Sequence, residues 1–196
     1  MDRILRMSTF ISPTTKTASS SSSTTTSSSS SASSSLLLSP RQYQIDAASY
    51  GIHENSIINI KTGGGKTLIA VIIMNHYLSI NNGKKVLFIV PSRALVQQQA
   101  EYFQKHCNVP QSKLSSSSTT RTTTTSSSSS NKIRIAQLCG NEIESWNKSN
   151  WNHAMNNYDI MVGTPEVFRR ALVDQGYIYS SQFSLVIFDE CHNATG

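Results

Sequence analysis

The sequence predicts an α/β fold of three layers, with a mostly parallel sheet sandwiched between helices. Three observations lead there. Short apolar runs such as KVLFIV (85–90) and SLVIF (184–188) alternate with segments of helical spacing. Strands that are apolar at nearly every position belong to sheets covered on both faces. Finally, Gly63, Gly64 and Gly65 lead directly into a lysine, a threonine and an apolar stretch, the pattern of a loop that opens a helix.

Each element follows in order. SIINI (56–60) reads as a short strand before the glycines, and KTLIAVIIMNHYL (66–78) as a helix, apolar on most sides, stopped by NNG (81–83). KVLFIV is a strand closed by Pro91. RALVQQQAEYF (93–103) pairs Leu95 with Tyr102 and Val96 with Phe103 at helical spacing. KIRIAQL (132–138) alternates like a strand. A helix around Trp151, Ala154, Met155 and Tyr158 follows, then the strand DIMVG (159–163), a helix from Pro165 to about Gln175, and the strand SLVIF. Trp146 and Trp151 are expected in the core rather than as stacking platforms.

Much of the 196-residue chain cannot join this core. Residues 14–35 and 115–130 are almost entirely Ser and Thr, which bury too little apolar surface to offset the entropy of ordering. Residues 1–38 are therefore expected to be disordered. Residues 39–196 form the domain, interrupted by a disordered insert at 115–130 in a connection that tolerates length. Net charge is +6, which mildly favours a polyanionic partner. No run approaches the ~18 apolar residues of a membrane span. Cys107, Cys139 and Cys191 lack metal-ligand spacing and read as thiols of a reducing compartment, cytoplasmic or nuclear. The basic, hydroxyl-rich N-terminus fits an organelle transit peptide less well than low-complexity drift. It has no secretory apolar core, so the sequons at Asn147 and Asn193 are read as accidental.

The glycines have a chemical reason. Helix N-termini carry unpaired N–H groups and partial positive charge. Glycines let several backbone N–H groups converge on a phosphate. Lys66 adds a mobile cation for the outer phosphates, and Thr67 a hydroxyl for Mg²⁺. The pattern G-x-x-x-x-G-K-[ST] is met except at its first position, which is Ile60. A second element complements it: SLVIF ends in Asp189 and Glu190. The carboxyl edge of a parallel sheet is where such folds bind ligands, so Asp189 is placed to hold the metal of a nucleoside triphosphate and Glu190 to activate water.

Five segments in order resemble the motifs of superfamily 2 DExD/H-box helicases. PRQYQ (40–44) resembles the glutamine motif, TGGGKT (62–67) motif I, PSRALVQQQAEYF (91–103) motif Ia, VGTPEVF (162–168) motif Ib, and DECH (189–192) motif II. The Arg41-x-Tyr43-Gln44 spacing, the Cys191-His192 pair and the tryptophans of GNEIESWNKSNWNHAM (140–155) are similar to the helicase region of Dicer proteins. RNA-sensor helicases share the first two features, and DNA-directed relatives and a non-motor ATP-binding module stay open.

The resemblance implies the first RecA-like domain of an ATP-dependent RNA helicase, with ATP and Mg²⁺ bound and duplex RNA as partner. It puts Arg41, Gln44, Thr62, Gly63, Gly64, Gly65, Lys66 and Thr67 on the nucleotide, Gln44 reading the adenine edge. Thr67 and Asp189 hold the metal, Glu190 acts on water, and His192 couples nucleotide state to nucleic acid. Ser92, Arg93, Thr164 and Pro165 grip one strand's backbone without reading sequence. In that family a strand carrying motif III lies beside the motif I strand, and a second RecA-like domain supplies arginines. Arginines so supplied are worth ~10³–10⁵ in rate. The chain stops four residues after His192, so the domain is expected to be incomplete and to hydrolyse ATP negligibly alone.

Overall fold

The computed structural model describes residues 39–80, 83–107 and 133–191. The Ser/Thr tracts, Asn81, Asn82 and His192 lie outside the described residues, and with them the expectations of disorder and the coupling role of His192. The chain divides into two compact units, Met1–Ile69 and Ala70–Gly196.

In the first unit, helix α1 (Gln42–His53) precedes an extended segment and the glycine loop, and helix α2 (Lys66–Ile80) begins where the loop ends. The expected strand at 56–60 does not form. A strand exists only through the ladder it shares with a neighbour, and this segment pairs with none among the described residues. Its composition gives little help, since Ser56 and Asn59 are poor strand formers and Ile57 is 54% exposed.

The second unit holds a four-stranded sheet ordered β2-β3-β1-β4, built from β1 (Lys85–Ile89), β2 (Ile135–Leu138), β3 (Ile160–Gly163) and β4 (Phe183–Phe188). All three pairings are parallel, as the apolar runs require. Ile89 pairs with both Gly163 and Phe188, and Leu138 with Gly163, so the four carboxyl ends align along one edge. An irregularity between Lys85 and Val86 shifts the register of β4, so that Phe183 opposes Lys85 while Leu185 opposes Val86.

Successive β1 side chains feed two cores. Val86 and Phe88 meet α2 beyond Ala70 and helix α3 (Arg93–His106), with Phe88 edge-on to Phe103 at 4.7 Å between ring centres. Leu87 and Ile89 meet the opposite layer, which includes helix α5 (Lys148–Asn157) and helix α6 (Pro165–Arg169). Trp151 is in that core, and Trp146 packs edge-on against it at 5.2 Å.

The helix expected from Pro165 to about Gln175 changes character at Arg170. It continues to Asp174 as a π-turn, in which the Gln175 N–H donates to the Arg170 carbonyl at 2.9 Å. Gly176, at φ +60°, follows it. Helix α4 (Asn141–Glu144), a single turn, and α1 had no signature strong enough to be read as helices. Only Gln44 and Ala48 of α1 are buried, so the helix has almost no apolar stripe.

Candidate functional site

The glycine loop is shaped by its backbone. The Gly64 N–H donates to the Lys61 carbonyl at 2.9 Å, closing a tight turn. Gly63 and Gly65 both stand at φ +79°, a region costly for any residue with a Cβ. A Cβ at Gly64 would fall 2.3 Å from Ile60 Cγ2 and 2.9 Å from the Lys61 carbonyl oxygen. The bulky residue at the pattern's first position thus fills the space beside Gly64. A Cβ at Gly65 would fall 2.3 Å from Gln44 Nε2. Around Gly63 nothing lies within 4 Å of that point, so its glycine answers to conformation alone.

The Gly65 carbonyl accepts from Leu68 and Ile69 and starts α2. Lys66 and Thr67 stand in the first turn, both half-buried, and that turn contains no acidic residue. A lysine here opposes the helix macrodipole, which favours anions at this end. Its placement makes physical sense beside a bound anion.

Gln44 is 5% exposed, not the solvated helix residue that a bare glutamine suggests. Its Nε2 donates to the Gly64 carbonyl at 3.0 Å, and its Oε1 accepts the Arg41 N–H at 2.8 Å. The two partners fix the amide's orientation, because one supplies an acceptor and the other a donor. Tyr43, absent from the sequence-based site, donates its hydroxyl to the same Gly64 carbonyl at 2.7 Å. Arg41 itself is exposed, and Thr62 lies exposed in the loop turn.

In the second unit, the Asp189 N–H donates to the Ile89 carbonyl at 2.8 Å, extending the β4 ladder by one residue. This fixes Asp189 at the carboxyl end of the strand. Glu190 follows at φ 50°, and it is the sole non-glycine with positive φ among the described residues. Such conformations cost about 1–3 kcal/mol and collect at functional sites. Nothing in the letters DE announces this strain.

A family model described as type III restriction enzyme, res subunit, matches residues 37–196. The chain belongs to this family. It is a helicase-type ATP-binding domain, related to Dicer proteins and to superfamily 2 helicases. Dicer of Danio rerio, an endoribonuclease, is 29% identical over 161 residues, covering 81% of this chain and 7% of that protein. Dicer-like protein 2 of Aspergillus fumigatus is 33% identical over 159 residues, covering 80% of this chain and 10% of that one. The chain thus spans a tenth or less of the length of these relatives. Among solved structures, the Hef helicase domain of Pyrococcus furiosus is 29% identical with a TM-score of 0.58, over 80% of this chain and 27% of that one. The UvsW helicase of bacteriophage T4 is 29% identical with a TM-score of 0.50, over 80% and 44%.

The helicase-type domain brings a second set of expected residues together at the aligned carboxyl ends of β1 and β3. Ser92 and Thr164 are the N-caps of α3 and α6, with Pro165 in the first turn of α6, but neither hydroxyl makes a capping bond. Arg93 and Thr164 line one cavity of about 90 Å³, together with Glu144, Trp151, Glu166 and Arg170. Arg93 donates to Glu144 at 3.1 Å. That contact joins residues 51 positions apart, and the sequence carries no sign of it. Glu166 was legible in principle, since it stands three and four residues before Arg169 and Arg170. Hydrogen bonds from Arg169, then Arg170, pull its carboxyl down to about 2. None of the described helices is long and apolar enough to cross a membrane.

Proposed function

We propose that this domain binds ATP with Mg²⁺ and, within a Dicer-like protein, couples ATP hydrolysis to engagement of duplex RNA. The observation that carries the reading is the loop at 61–65. Two left-handed glycines, a third that leaves no room for a Cβ, and a lysine at the start of α2 together form a cradle suited to phosphates. The donor set also suits the metal, which takes oxygen ligands and keeps one or two carboxylates beside substrate phosphates. Thr67 and Asp189 would each offer it an oxygen. When bound, Mg²⁺ would neutralise charge on the terminal phosphates.

Lys66 would pair with those phosphates, and Glu190 would orient and deprotonate the attacking water. Arg41 and Gln44 would serve the base, Gln44 through the second amide hydrogen and the oxygen lone pair that Gly64 and Arg41 leave over. Ser92, Arg93, Thr164 and Pro165 would contact the nucleic-acid backbone, with Arg93 exchanging Glu144 for phosphate. RNA is preferred over DNA because the Dicer relatives are named as endoribonucleases.

The test is ATP hydrolysis by the full-length protein with duplex RNA, duplex DNA or neither. Stimulation by RNA over DNA, abolished in Lys66→Ala and Glu190→Gln, supports the reading. Equal or greater stimulation by DNA would make the domain a DNA translocase. No turnover with retained ATP binding would leave a non-motor nucleotide module.

A further inference from the structure

Helix α1 aims two donors at one oxygen. The Gly64 carbonyl accepts Tyr43 Oη at 2.7 Å and Gln44 Nε2 at 3.0 Å. A carbonyl has two lone pairs, so the pair fills it. We infer that Tyr43 is a positioning residue for the triphosphate: with Gln44, its hydroxyl locks the Gly64–Gly65 peptide in the orientation that turns the Gly65 N–H toward bound phosphate. This rests on the phosphate-cradle reading above.

The reason is geometric. A trans peptide is planar, with its C=O and N–H pointing in opposite directions. A carbonyl held toward α1 therefore sends the Gly65 N–H away from α1. That N–H has no backbone partner outside the regular elements among the described residues. A peptide between two glycines also turns over easily, because neither neighbour carries a Cβ. Turned over, it would present an oxygen to an anion instead of a donor. The two bonds from α1 oppose that flip.

The bracket is itself held. Gln44 is tied at its other end to the Arg41 N–H at 2.8 Å, and it lies so close to Gly65 that a Cβ there would collide with it. Tyr43 and Gln44 are adjacent in α1, so the helix delivers both donors as one body. A group that acts through the loop backbone touches phosphate recognition alone and is blind to the base. That separates Tyr43 from any residue that reads adenine.

The experiment uses the full-length protein with Tyr43→Phe, Gln44→Met, the double variant, and Lys66→Ala as reference. Affinities for ATP, GTP and inorganic tripolyphosphate are measured by calorimetry, beside thermal unfolding. Losing one hydrogen bond predicts a three- to ten-fold weakening, or about that. In Tyr43→Phe it should be the same for all three ligands, at an unchanged melting temperature. The double variant should weaken all three by more than the product of the single effects, because the carbonyl then has no donor. Should Tyr43→Phe unfold, Gln44→Met reaches the same carbonyl and supplies the readout through tripolyphosphate, which carries no base for Gln44 to read.

Wild-type affinity in Tyr43→Phe, or a loss confined to ATP, overturns the inference. Wild-type affinity in Lys66→Ala strikes instead at the phosphate cradle itself, whatever Tyr43 does.

Discussion

At the scale of single residues, the loop glycines make the sharpest predictions. Gly65→Ala adds a Cβ at φ +79° and drives it to 2.3 Å from Gln44 Nε2. It is expected to cost about 1–3 kcal/mol in chemical denaturation, the usual cost of a side chain held in a forbidden region. ATP affinity should fall with it. Gly63→Ala meets open space and pays the conformational part alone, so it should be the milder variant. The cysteines differ as sharply. Burial pushes the Cys107 thiol up to about 12, whereas Cys191 is exposed. Since the thiolate is the reactive form, a thiol reagent should label Cys191 in the native protein and reach Cys107 only on unfolding, as read by mass spectrometry. The loop glycines were legible because a turn of this shape needs residues without a Cβ. Tyr43 was not, because its partner is a backbone carbonyl, and backbone carries no letter.

At the scale of elements, the sequence located the four paired strands and the helices α2, α3, α5 and α6 to within a few residues, and missed at the segment 56–60 and at helices α1 and α4. KVLFIV and DIMVG are apolar nearly throughout because two helical layers bury them, and such runs are hard to mistake; SLVIF reads the same way although Val186 and Phe188 stand exposed. The segment at 56–60 looked similar and failed, since pairing is a property of two segments and the letters describe one. Helix α1 escaped notice for the opposite reason, having a real helix but hardly any buried face. The helix α6 and its π-turn permit a test of charge. The Glu166 carboxyl lies below its ordinary value of 4.5, at about 2, so the native state favours its charged form. Its stabilising contribution is therefore present above about pH 4.5 and is lost as pH falls toward 2. Glu166→Gln should lower the melting temperature slightly at pH 7 and leave almost no difference from wild type near pH 2. The site is open to solvent, so added salt should shrink the pH 7 difference.

At the scale of the whole molecule, stability of the sheet unit rests on two apolar layers filled by alternate side chains of its strands. Phe88 is 1% exposed and wedged against Phe103, so Phe88→Ala should cost about 3–5 kcal/mol by urea denaturation, as large core truncations do. Phe188, on β4, is 55% exposed, and Phe188→Ala should change stability by less than about 1 kcal/mol. A comparable loss at both positions would mean that the two-layer account of the core is wrong. Fold class was readable at this scale because layer architecture follows from which segments are apolar all round. The union of Arg93 with Glu144, and of both with Thr164 in one cavity, was not, since it depends on how strands far apart in the chain come to end side by side.

The slip in pairing near the start of β4 reaches further than its single residue suggests. Phe183 packs with the α5 layer and Leu185 with the α3 layer, although they are two apart and would otherwise point the same way. The kink acts as a phase-setter for everything downstream. Ser184 is the surplus residue: without it Phe183 and Leu185 would sit opposite Lys85 and Val86 in unbroken alternation, each still turned to its own layer. The slip thus swallows one residue at the strand's entrance, and Asp189 and Glu190 keep their facing at its exit whether that residue is present or not.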